Sequence, residues 1–126
     1  MFDLRYNRSL CPIERNALRD FYYSSKGGEW TDSTNWTDPY ISHCFWKGVS
    51  CTNDGAVTIL NLTNNGLSGT LSKSLANLSS LEILDLSDND IKVGLIEQCF
   101  LQYTFHLMFT FAPLISFIIN VGLSAD

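Results

Sequence analysis

The chain has 126 residues, 45 % of them hydrophobic and 17 % charged, which suffices for one domain or a short repeat array and is too short for a two-domain enzyme. A net charge of −5, from 8 basic against 13 acidic residues, excludes the electrostatic footprint of a nucleic-acid binder, and the apolar content excludes disorder by composition. The charge is unevenly spread: every Lys and Arg lies at or before Lys92, and residues 98–125 carry no charged side chain.

Residues 1–10 read as an N-terminal tail. Asp3, Arg5, Asn7 and Arg8 interrupt it, so no signal peptide is visible. Cys11-Pro12 then opens a helix, because proline at the first helical position has φ preset and gives up no needed N–H. Ile13, Ala17, Leu18, Phe21 and Tyr22 form one apolar stripe. Gly27-Gly28 is expected to stop the helix by adopting the left-handed conformation. From Glu29 to Gly55 the chain is loop-like but holds Trp30, Trp36 and Trp46, side chains large enough to demand burial. Residues 11–56 therefore form a structured cap.

A repeat follows over 57–98. Val57-x-x-Leu60-x-Leu62-x-x-Asn65-x-Leu67 recurs 24 positions later as Leu81-x-x-Leu84-x-Leu86-x-x-Asn89-x-Ile91. In such a pattern the leucines point inward from short strands, and Asn65 and Asn89 bond open backbone groups where the chain turns. The second repeat is degenerate at its end, since Leu67-Ser68-Gly69 corresponds to Ile91-Lys92-Val93. Continuing the frame places Cys99, Gln102, Thr110 and Pro113 where the pattern needs leucines and an asparagine, so no third repeat is expected.

Residues 11–96 resemble the N-terminal cap and first repeats of plant-type leucine-rich repeat proteins, the ectodomain class of receptor-like kinases, receptor-like proteins and polygalacturonase inhibitors. The resemblance rests on ERNALRDFYYSSKGGEW (Glu14 to Trp30), Asn35-Trp36, CFWKGVSC (Cys44 to Cys51) and NNGLSGTLSKSLANLSSLEILDLSDND (Asn64 to Asp90), about two thirds of the chain. It implies an α/β fold, a right-handed solenoid of short parallel strands behind a helical cap, read here as a truncated ectodomain. It also implies a disulfide between Cys44 and Cys51, and the six intervening residues, Gly48 among them, suit a closed loop. A zinc reading with His43 beside Cys44 finds no fourth ligand in that loop. The cysteine that the family sets next to the position of Cys44, as partner for one at the cap helix, is missing; Cys11 and Cys99 are left without an assigned partner.

The hydrophobic tail, 99–126, is expected to form a hydrophobic C-terminal helix. Residues 100–123 are long enough to span a bilayer, although Gln102, His106, Pro113 and Asn120 interrupt them.

Nothing points to catalysis: no nucleophile motif, zinc-protease motif or phosphate loop occurs, and neither a cofactor nor a metal is expected. The binding candidate is the concave face, Ile59, Asn61, Thr63 and Asn64 on the first repeat and Ile83, Asp85, Ser87 and Asp88 on the second. The expected function is recognition of a protein or peptide ligand by a membrane-bound or extracellular protein. Four sequons, at Asn7, Asn35, Asn61 and Asn77, agree with a glycosylating compartment. A gene fragment without function and a membrane-anchored structural protein stand as alternatives, because a repeat stack needs three or more units to bury its core.

Overall fold

The computed structural model describes residues 12–93 and, at the level of backbone pairing, 116–118 and 122–123. The expected N-terminal tail, Asn7, Cys11, Cys99 and His106 lie outside the described residues.

Helix α1 (Pro12–Ser24) turns Ala17, Leu18 and Phe21 into the core. Its buried stripe is rotated from the expected one: Ile13 is 63 % exposed, while Glu14 is buried and its Oε1 accepts from the Val57 N–H at 3.3 Å. The carboxylate thus satisfies a strand donor that would otherwise be orphaned in the core. The helix also ends differently from expectation. Lys26, not a glycine, takes the left-handed conformation (φ 57°), and Gly27 begins a 3₁₀ turn (Gly27–Glu29) with the Tyr22 ring packed so closely that a Cβ would collide with it. Gly27 is required for lack of volume, not for its φ.

The Trp-bearing segment packs on α1. Trp30 and Trp36 meet edge to face with centroids 4.9 Å apart, Trp36 and Trp46 lie at 5.1 Å, and Phe21 stands 5.9 Å from Trp30. Trp30 Nε1 donates to the Ser25 carbonyl at 2.9 Å and Trp36 Nε1 to the Lys47 carbonyl at 2.8 Å, whereas the buried Trp46 Nε1 has no hydrogen-bond partner among the described residues. The Arg15 guanidinium lies over the Trp46 ring, 4.7 Å from its centroid.

The cap ends in β1 (Val49–Cys51), and the chain then winds through β2 (Val57–Asn61), β3 (Ile83–Asp85), β4 (Lys92–Val93), β5 (Ser116–Ile118) and β6 (Gly122–Leu123). One sheet has the order β1-β2-β3-β5, with β1 antiparallel to β2 and the others parallel; β4 and β6 pair in a second ribbon. Ile59 pairs with Ile83 and Asn61 with Asp85, so the sheet register equals the repeat offset of 24 seen in the Asn65–Asn89 contact. Leu60, Leu62, Leu67, Leu71, Leu75, Leu78, Leu81, Leu84, Leu86 and Ile91 are buried in one core. The 3₁₀ turn Lys73–Asn77 packs against α1, and Ser74 Oγ donates to Asp20 at 2.8 Å.

The tail departs from expectation. The hydrophobic C-terminal helix is replaced, at the positions described, by strands: Ser116, Phe117 and Ile118 pair in parallel with Ile83, Leu84 and Asp85, and Gly122–Leu123 pairs with Lys92–Val93. A third parallel strand therefore joins the sheet at a longer spacing than 24, where no third repeat was expected. The reason is the open edge of β3, whose unpaired N–H and C=O groups a strand satisfies and a helix cannot. β-branched and aromatic residues such as Phe117 and Ile118 suit that role. The remaining tail positions lie outside the described residues, among which no helix is long and apolar enough to cross a membrane.

Candidate functional site

Alternation along β2 sends Leu60 inward and leaves Ile59 half-buried and Asn61 exposed on the opposite face of the sheet. There the cap and the first repeat enclose a groove of about 660 Å³. Ile59, Asn61, Thr63 and Asn64 line it; Ile83, Asp85, Ser87 and Asp88 do not, although the register Ile59–Ile83 and Asn61–Asp85 sets their strand alongside. The other wall comes from the cap, through Thr31, Asp32, Lys47, Gly48 and Ser50. Those residues escaped sequence reasoning because they precede the repeat.

One signal could have found Asp32. Its Oδ1 accepts from the Thr34 N–H at 3.0 Å and the Thr34 hydroxyl at 2.5 Å; Asn61 Oδ1 takes the same two groups of Thr63 at 3.2 and 2.8 Å; Asp85 Oδ1 takes those of Ser87 at 3.1 and 2.6 Å. An Asx residue followed two positions later by Thr or Ser therefore recurs from the cap into both repeats. The Thr34 hydroxyl and N–H, assisted by Lys47 at 3.7 Å, hold the Asp32 carboxyl below the usual range. The Ser87 hydroxyl does the same for Asp85. Both are thus ionised at neutral pH, and the groove carries one opposed Lys47–Asp32 pair with further acidity from the neighbouring strand.

Gly48 closes the groove floor. Its φ of +85° and its approach to the Asn61 carbonyl leave no room for a Cβ, and its own carbonyl accepts from Asn61 N–H at 2.8 Å. Immediately beside it, Cys44 and Cys51 are disulfide-linked with Cα atoms 5.6 Å apart, fastening β1 to the 3₁₀ turn His43–Phe45. His43 is fully buried there, and desolvation, reinforced by Arg15 against an opposing influence of the Gly55 carbonyl, pushes its pKa down, keeping the ring neutral.

Asn65, which also lines the groove, and Asn89 bind neighbouring turns of chain. Asn65 Oδ1 accepts from Asp32 N–H and its Nδ2 donates to the Asp32 carbonyl, both at 2.8 Å. Asn89 Oδ1 accepts from the N–H groups of Asn65 and Leu67 at 3.0 and 2.9 Å, while its Nδ2 faces the carbonyls of Leu62, Leu86 and Ser87. The first repeat is tied to the cap and the second repeat to the first.

Of the sequon asparagines in the described residues, Asn61 and Asn77 are exposed; Asn35 is half-buried, and its Nδ2 donates to the Phe45 carbonyl at 3.0 Å.

Comparison with known proteins agrees with this architecture. The leucine-rich repeat N-terminal domain family matches residues 12–52 and the leucine-rich repeat family residues 56–78 and 80–102, together more than half of the chain. Phytosulfokine receptor 1 of Arabidopsis thaliana is 41 % identical over 85 residues, covering 64 % of this chain and 8 % of the receptor. The crystal structure of the BIR2 ectodomain from Arabidopsis thaliana superposes with a TM-score of 0.63 at 28 % identity, covering 87 % of this chain and 56 % of that one. That of the BIR3–SERK2 complex from the same plant gives 0.58 at 24 % identity over 86 % and 55 %, a likeness of fold. The chain thus spans under a tenth of the receptor and about half of the ectodomains. A helical cap with its Trp cluster, two asparagine-tied turns at a 24-residue offset and these matches place the chain in the leucine-rich repeat proteins, where it resembles the extracellular regions of plant receptor-like kinases.

Proposed function

We propose that the protein is a non-catalytic recognition module that takes a protein or peptide segment into the groove between cap and first repeat, outside the cell or at its membrane. The observation that carries this reading is the groove itself, where a half-buried apolar floor at Ile59 is flanked by the Lys47–Asp32 pair and by the side chains of Asn61, Thr63 and Asn64. Such a mixture suits an extended peptide, whose backbone amides meet the polar groups and whose side chain covers the isoleucine. The likeness to a protein named as a receptor supports the same class of activity. A glycan on Asn61 would fill the groove, so the binding-competent form is the one unmodified at that position.

Selection of a displayed random-peptide library on the immobilised protein tests it. Enriched peptides should bind Lys47→Glu several-fold more weakly, because the variant sets two carboxylates together at the groove wall. They should bind Lys73→Glu, an exposed change on the distant 3₁₀ turn, as they bind the parent protein. Equal losses in both variants, or no enrichment, would overturn the proposal.

A further inference from the structure

Next to the disulfide-closed loop stands a side chain with no evident role in the fold. His43 is 0 % exposed, and neither Nδ1 nor Nε2 makes a hydrogen bond of regular geometry among the described residues, although the Gly55 carbonyl acts on the ring. Imidazole is polar enough that burial without a regular hydrogen bond calls for an explanation, and buried polar groups lacking one are few in folded proteins. Its surroundings suggest one: a ring nitrogen of His43 and the sulfurs of Cys44 and Cys51 all lie within 4.8 Å of one another. These are a borderline and two soft donors, the set that selects zinc and copper(I) over hard cations.

We propose that His43, Cys44 and Cys51 form a binding site for a thiophilic d¹⁰ cation, Zn(II) or Cu(I), which fills when the Cys44–Cys51 disulfide is reduced. Two equivalents of an external thiol supply two electrons, splitting the S–S bond into two protein thiols and leaving as their own disulfide. The cation then takes the two sulfurs as thiolates, releasing two protons, and the lone pair of the neutral His43 ring. Metal–sulfur and metal–nitrogen bonds of about 2.3 and 2.0 Å allow a nitrogen and a sulfur on one ion to stand up to roughly 4.3 Å apart. With a donor spread of 4.8 Å or less the ring has only a short way to close on the ion, while the two sulfurs, bonded to each other in the disulfide, part to roughly 3.8 Å once it is reduced. Solvent completes a four-coordinate zinc shell, whereas copper(I) is satisfied by three donors. Either ion holds β1 against the His43–Phe45 turn as the disulfide does, so the groove floor at Gly48 keeps its support under oxidising and reducing conditions alike.

The site is tested on the full chain carrying Cys11→Ser and Cys99→Ser, which leaves only the two thiols in question. Reduced with a phosphine in metal-free buffer and titrated with Co(II), it should saturate at one equivalent, develop thiolate-to-cobalt charge-transfer and visible ligand-field absorption, and lose both on addition of Zn(II). The oxidised protein should develop neither. His43→Ala should weaken binding by at least about tenfold, the lower end of what disturbing a metal site costs, and His43→Cys should restore it. If reduction alone collapses the near-ultraviolet dichroism of the Trp cluster, metal should return it. No absorption with the reduced protein, or equal affinity in His43→Ala, would overturn the proposal.

Discussion

Asn89 shows how much one side chain holds here. Its amide answers two N–H groups and faces three carbonyls of two successive turns, groups that no regular helix or sheet would satisfy. Asn89→Ala should cost about 2–4 kcal/mol, because it strands several buried backbone groups at once, whereas exposed Lys73→Ala should stay within about 0.5 kcal/mol; urea unfolding followed by Trp fluorescence separates the two. His43 makes a different demand. Burial holds its pKa below the ordinary value of about 6.5, so the unfolded chain binds a proton at a pH where the folded one does not. Stability should be intact above that value and fall as pH drops through the interval beneath it, and His43→Gln should remove the slope between pH 7.5 and 5. The depressed carboxyls of Asp32 and Asp85 add a separate decline only below about pH 4.

At the scale of elements, the end of α1 separates two uses of glycine. Gly27→Ala should destabilise by about 1–3 kcal/mol, since the new methyl must displace the Tyr22 ring. Nothing lies within 4 Å of a Cβ at Gly28, so Gly28→Ala should be neutral or stabilise by up to about 1 kcal/mol through the unfolded chain. Thermal melts of the pair decide it. The double glycine marked the end of the helix in the sequence, but its reason was hidden: which residue takes the left-handed conformation depends on where Tyr22 packs. The rotation of α1 was hidden likewise. Periodicity alone favours Ile13 inward, whereas the fold buries Glu14, whose carboxylate accepts from the Val57 N–H. The strands of the two repeats, in contrast, were legible because the inward leucines recur at a fixed offset, and half of the groove was legible with them. Its cap wall was not, since Asp32 and Lys47 belong to an irregular segment whose partners lie far along the chain.

Across the whole molecule, the tail is where composition misled most. Lack of charge is a feature shared by membrane spans and strands buried in a sheet, and hydropathy cannot separate them; what decides is the vacant edge of β3. If β5 completes the sheet, Ile118→Pro, which removes a backbone donor and fixes φ, should lower stability by about 1–3 kcal/mol and move the urea midpoint down. An unchanged midpoint would mean that this strand adds nothing to the core. The cap's Trp cluster joins the repeat leucines in one core, so the cap packs on the first repeat as a neighbouring turn would.

The asparagine ties have a mechanical consequence. Asn65 grips the cap and Asn89 grips the first repeat, each reaching back toward the N-terminus, so every turn is latched to its predecessor. A load applied at the C-terminal end would meet these latches one after another, peeling the coil in steps. The covalent loop at Cys44–Cys51 would be the last part to yield, leaving a short stump from which the stack can rewind.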